Sequence, residues 1–163
     1  MSMINLTIEA PSSKDELQIR KLLTLCELPQ KDITPEGLHH FLVLKEKEKI
    51  IGVVGLEVFG PFGLLRSLAV DPKYRSRGFA PRLIERMEAY AVSLNIEILY
   101  LLTMTAEGFF AKYGYQKVER KSAPPVIRGT TEFGSLCPIS AVCMVKSLKM
   151  KSFQKPSLRF AHK

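Results

Sequence analysis

Apolar residues recur along this chain at two different spacings, and the changes of spacing mark out its elements. Ile19, Leu22, Leu23 and Cys26 fall three and four apart, the spacing of one buried helix face. Ser13 and Glu16 have capping-box spacing at the start of that helix, and Pro29 is expected to end it. A short strand, Leu6–Ile8, comes before it, and Thr34-Pro35-Glu36 opens a further turn that closes before Phe41. Phe41–Leu44 and Ile50–Phe59 are apolar, β-branched runs separated by Lys45–Lys49, as in a hairpin. Gly60-Pro61-Phe62-Gly63 signals a turn into a strand over Leu64–Val70. Leu83, Ile84, Met87, Ala91 and Leu94 form the stripe of a second long helix. The unbroken run Ile98–Leu102 predicts a strand buried on both faces. Thr105 is placed to cap a short helix bearing Phe109, Phe110 and Tyr113, with Gly114 as its stop. Tyr115–Arg120 and Ala141–Ser147 are the last strand candidates, with a helical turn between Pro124 and Pro138. Strands and helices alternate throughout, so the fold class is α/β or α+β.

Composition narrows this picture only slightly. A chain of 163 residues, 46% of them hydrophobic, suits one packed domain, expected over residues 1–148. No apolar run approaches the roughly 20 residues of a membrane helix, and Met1–Asn5 lacks the pattern of a signal peptide. Cys26, Cys137 and Cys143 form no close pair, which suits the cytoplasm and gives no metal framework. Cys26 and Cys143 are expected to be small core residues.

The net charge of +8 raises the question of nucleic acid. Six of those charges, Lys146, Lys149, Lys151, Lys155, Arg159 and Lys163, lie at the end without an acidic neighbour, leaving +2 for residues 1–145. Residues 149–163 therefore form a basic tail, and no nucleic-acid partner is expected for the body. A protein working through that tail on an anionic surface is the competing reading.

The most informative stretch is Leu68-Ala69-Val70-Asp71-Pro72-Lys73-Tyr74-Arg75-Ser76-Arg77-Gly78-Phe79-Ala80, a strand leading through a basic loop straight into a helix. The first turn of a helix has N–H groups without internal partners, and its dipole favours an anion there. Gly78 and Ala80 allow a diphosphate close to the backbone, and Arg75 and Arg77 add positive charge. GxxxxGK[ST] is missing, and only one glycine of GxGxxG is present. Pro81 lacks an N–H but suits a first helical turn.

Arg75-Ser76-Arg77-Gly78-Phe79-Ala80 resembles the coenzyme A loop Arg/Gln-x-x-Gly-x-Gly/Ala of the GNAT superfamily of N-acetyltransferases. Phe109-Phe110-Ala111-Lys112-Tyr113-Gly114-Tyr115 is similar to that family's second cofactor segment. More narrowly, Leu64–Val70, Leu99–Ala106 and Thr131–Ala141 resemble the N-acetyltransferases of arsenic-resistance operons, themselves similar to glutamate N-acetyltransferases.

The resemblance implies a mixed, twisted sheet whose parallel strands Leu64–Val70 and Ile98–Thr103 splay apart, with flanking helices. It implies an acetyl-CoA-dependent enzyme acting on a small, amino-acid-like amine, as a monomer or homodimer. It assigns the Leu68 N–H to the thioester carbonyl, Ala69 and Val70 to the pantetheine arm, and Arg75, Ser76, Arg77, Gly78, Phe79 and Ala80 to the diphosphate. Phe109 and Phe110 complete the cofactor set; Phe110 stands where many members carry a Tyr proton donor, which leaves an acetyl-CoA-binding regulatory domain as an alternative. Direct attack by the amine needs no covalent intermediate, so Cys137 is not required as a nucleophile. Glu57 and Glu132 are the candidate bases, acting directly or through water. Arg66 and Arg128 are candidates for gripping an acceptor carboxylate with two hydrogen bonds, or for ordinary salt bridges.

Overall fold

The computed structural model describes residues 5–136 and 138–148. The basic tail, Cys137 and most of Met1–Asn5 lie outside them. Among the described residues no helix is long and apolar enough to cross a membrane.

The elements are β1 (Leu6–Glu9), α1 (Glu16–Leu25), β2 (Phe41–Glu46), β3 (Lys49–Phe59), β4 (Phe62–Val70), α2 (Phe79–Ser93), β5 (Ile98–Thr103), α3 (Glu107–Lys112), β6 (Gln116–Val118), α4 (Pro125–Arg128) and β7 (Val142–Ser147). The seven strands form one mixed sheet in the order β1-β2-β3-β4-β5-β7-β6. The hairpin expected from Phe41 onward is present, with Phe41 opposite Gly55 and Glu46 opposite Lys49. Phe62–Leu64 of β4 pair in parallel with Ile98–Tyr100 of β5.

The chain divides into two compact units. In the first are β1, α1, β2, β3 as far as Glu57, β4 from Leu65, and α2 as far as Met87. Its core gathers Ile19, Leu22 and Leu23 of α1 with Phe41, Val43, Ile50, Val53 and Ala69 of the strands. The Phe41 ring fills the space a Cβ at Gly55 would need. In the second unit Leu64, Tyr100 and Cys143 meet Ala123, Ile127 and Phe133. Tyr115 is buried there, and its hydroxyl donates to Glu88 Oε2 at 2.8 Å. Lys146 Nζ closes this network on Glu88 Oε1 at 2.9 Å and on the Tyr113 carbonyl at 2.9 Å. Burial, then the Glu88 carboxylate, pushes the Tyr115 hydroxyl well above its ordinary pKa.

Several boundaries differ from the sequence expectation. The box at the first helix is set one residue earlier: the Ser12 N–H donates to Asp15 Oδ2 at 2.9 Å, closing a 3-10 turn over Ser13–Asp15 ahead of α1. α1 stops at Leu25, before Pro29, because Glu27 turns left-handed at φ +61°. Thr105 is not the cap of α3; the Thr103 hydroxyl accepts the Ala106 N–H at 3.0 Å. The stop at Gly114 is present, with φ +97°. Lys45 and Glu46 belong to β2 because buried Lys45 meets Asp15 at 3.2 Å and Glu9 at 3.3 Å, so the pairing extends to a two-residue turn.

Candidate active site

In the first unit, β4 carries an irregularity at its centre. Ser67 adopts φ +60°, a left-handed conformation that costs an L-residue about 1–2 kcal/mol. A left-handed residue in an extended strand breaks its alternation, and Leu68 follows directly. Leu68 is half-buried, between buried Ser67 and buried Ala69 and Val70.

Beyond Val70 the chain is tied down and then turned. The Asp71 N–H donates to the Ile51 carbonyl at 2.8 Å, and the Asp71 carboxylate takes the Lys73 N–H at 2.9 Å. Pro72 at the first position suits the resulting 3-10 turn over Pro72–Tyr74. Ser76 (φ +65°) and Gly78 (φ +82°) are both left-handed, so the segment before α2 reverses twice. A Cβ at Gly78 would meet no heavy atom within 4 Å, so the surface there is open. The first backbone bond of the helix runs from the Arg82 N–H to the Gly78 carbonyl at 3.4 Å. The N–H groups of Phe79 and Ala80 precede it, and Pro81 has none.

The basic side chains around this turn have partners. Arg75 folds back, donating from Nε to the Val70 carbonyl at 2.9 Å and from Nη2 to Cys26 Sγ at 3.3 Å. The Cys26 thiol lies 3.6 Å from the same Val70 carbonyl. Cys26 is therefore half-buried beside the turn rather than a plain core residue, whereas Cys143 is buried and its thiol is pushed up to about 11 by that burial. Arg77 is exposed and its guanidinium lies over the Tyr74 ring, 5.3 Å from the centroid. The Tyr74 hydroxyl donates to Glu46 at 2.8 Å.

Glu57 and Arg66 are in direct contact. The buried Arg66 guanidinium donates from Nη1 to Glu57 Oε2 at 2.6 Å. It also grips Asp32 end-on, Nη1 to Oδ2 at 2.5 Å and Nη2 to Oδ1 at 2.7 Å, while Nε reaches the Ser67 hydroxyl at 3.0 Å. Asp32 was not among the sequence candidates, and nothing in its local sequence pairs it with a residue 34 positions away.

The remaining candidates lie in the second unit. Phe110 is buried, edge-on to Tyr115 with ring centroids 5.5 Å apart, and Phe109 lies against both Phe110 and Tyr113. Arg128 is exposed, and its Nε donates to the Ala123 carbonyl at 2.9 Å. Glu132 is buried in the turn that follows α4.

A mixed sheet whose fourth strand leads through a left-handed basic turn into a helix offers free backbone donors to an anion, as an acyltransferase that uses a diphosphate-bearing cofactor requires. The chain belongs to the Acetyltransferase (GNAT) family, whose profile matches residues 5–115. Enzymes of this family use acetyl-CoA. An N-acetyltransferase of Chlorobaculum tepidum is 29% identical over 115 residues, 69% of this chain and 74% of its own length. The amino-acid acetyltransferase of Mycobacterium tuberculosis is 27% identical over 128 residues, 76% of this chain and 69% of that protein. In fold, N-acetylglutamate synthase from Neisseria gonorrhoeae, crystallised with coenzyme A and N-acetyl-glutamate, superposes with a TM-score of 0.78 at 21% identity. That alignment covers 90% of this chain, which spans only 36% of the synthase.

Proposed function

We propose that this acetyltransferase moves an acetyl group from acetyl-CoA to the amine of a small, amino-acid-like molecule by direct attack. The observation that carries this is the turn Arg75–Ala80: two left-handed residues, open space at Gly78, and helix N–H groups ahead of the first internal bond. That arrangement fits a diphosphate, with Arg75 and Arg77 at its rim. Ala69 and Val70 would lie along the pantetheine arm, and Phe109 and Phe110 would line the second cofactor segment. The thioester supplies an activated acetyl group.

We assign the Leu68 N–H to the thioester oxygen, where negative charge builds as the amine attacks. Left-handed Ser67 supports this, since it reorients the peptide just before that donor. One fixed donor of this kind contributes about 3–4 kcal/mol to lowering the barrier. The amine's proton goes to Glu57 or Glu132, directly or through water. Phe110 has no proton to give, so the departing thiolate takes one from solvent or from the amine, a tolerable route near neutral pH. Arg66 and Arg128 are assigned to the acceptor's carboxylate. The amino-acid acetyltransferases among the relatives support that acceptor class, and the resemblance to arsenic-resistance acetyltransferases makes an arsenic-bearing glutamate analogue a specific candidate.

The test is thiol release from acetyl-CoA over a panel of amino acids, arsenic-containing glutamate analogues and simple amines. Turnover confined to amines bearing an acidic group is expected. Turnover only with amines lacking one would overturn the assignment of the acceptor.

A further inference from the structure

We infer that Asp32 is a latch on Arg66, holding the guanidinium until the acceptor's carboxylate takes its place. The inference rests on the acceptor class proposed above.

Three observations carry it. Asp32 meets Arg66 end-on through both oxygens, the two-bond geometry a free carboxylate adopts on a guanidinium. Ser67 and Glu57, which also contact Arg66, come from strands, whereas Asp32 comes from the connection after α1. Finally, one guanidinium faces two carboxylates, so losing Asp32 still leaves Arg66 paired with Glu57. Replacing Asp32 by an incoming carboxylate therefore conserves charge and hydrogen bonds, and no buried cation is left bare.

The connection itself need not move. Arg20 of α1 donates from Nη1 to the Gln30 carbonyl at 2.9 Å and to Gln30 Oε1 at 2.7 Å, and from Nη2 to the Ile33 carbonyl. Ile33 is buried in the core of the first unit. Asp32 sits between these two anchors, with its side chain 17% exposed, so rotation of that side chain is enough to release Arg66. An amine without a carboxylate cannot make the exchange and meets Arg66 already occupied. The latch thus selects for carboxylate-bearing acceptors, at the expense of some affinity for them, because only the open fraction binds.

Asp32→Asn removes the charge and keeps the shape. L-Glutamine against its α-carboxamide, and L-glutamate and L-aspartate against their diamides, none of which keeps a carboxylate, are the probes. The expected result is an acceptor KM lowered about three- to tenfold for the free acids, with the KM for the carboxamides and for acetyl-CoA unmoved. An equal or raised KM for the acids, or acids and carboxamides moving together, would overturn the latch. A crystal structure of the unmodified protein with a turned-over acid bound is independent of how the variant folds. Asp32 should be off Arg66 there, and a retained two-bond contact overturns the inference. If simple amines release thiol and none of the acids does, the acceptor assignment fails and the latch with it. If the acids turn over and Asp32→Asn changes nothing, only the latch fails.

Discussion

The turn at Arg75–Ala80 and the cluster around Arg66 lie in the same unit, and they handle charge in opposite ways. The turn is exposed and shaped by backbone: its left-handed residues set N–H directions, and its arginines stand at the rim. The cluster is buried and made of side chains, with the guanidinium meeting two carboxylates and a hydroxyl. Backbone donors suit a ligand shared by a whole family, because they survive side-chain replacement. A side-chain cluster suits the substrate that differs from member to member, because one substitution changes it.

The largest break in that comparison is expected from Gly78→Glu. It forces a side chain into φ +82° and puts an anion where the diphosphate belongs. Affinity for acetyl-CoA should fall about a hundredfold, equivalent to two charge-assisted hydrogen bonds at about 1.5 kcal/mol each. A calorimetric titration showing unchanged affinity would remove the diphosphate from this turn. Arg66→Lys comes next: a point charge cannot replace a planar fork, so acceptor KM should rise about tenfold while acetyl-CoA KM stays put. Initial-rate kinetics with each substrate varied separates the two. Arg77→Ala should weaken acetyl-CoA only about two- to threefold, and the deficit should vanish in high salt, as expected of an exposed charge.

Asp15→Asn is the control, a buried charge outside both regions, and should alter neither KM. Its effect is on stability against pH. Burial pushes the Asp15 carboxyl up, but the Ser12 N–H and Lys45 outweigh it and hold it below the ordinary 3.8. A depressed folded value gives stability that is complete above the unfolded value and is lost as pH falls through the folded one. The unmodified protein should therefore lose stability below about pH 3.8 more steeply than Asp15→Asn, followed by circular dichroism during acid titration.

The same contrast explains what could be read from the chain alone. The α2 stripe of Leu83, Ile84, Met87 and Ala91 is buried as its spacing predicts, since a helix face is a local property. The glycine-containing turn was legible for the same reason: strand, loop and helix are consecutive. Asp32 was not, because its partner lies in another strand and an aspartate in a polar connection carries no mark of its destination. Cys26 was half legible: it packs against the first unit's core as its spacing predicts, but α1 ends at Leu25 and its thiol also meets Arg75. Thr105 failed as a cap because Thr103, at the strand end, reaches the same N–H first.

Ser67 combines two features in a single residue. Its hydroxyl accepts from the guanidinium proposed for the acceptor, and its left-handed backbone sets the peptide before Leu68, the residue proposed to face the acyl donor. On the proposed assignments, recognition of the two reactants is mechanically linked, and variation at this position retunes neither alone. Val and Ile would be the worst tolerated, because they lose the conformation as well as the hydrogen bond. Change in acceptor preference within such a scaffold is channelled toward Asp32 and its connection, which can vary while the transfer machinery stays in register.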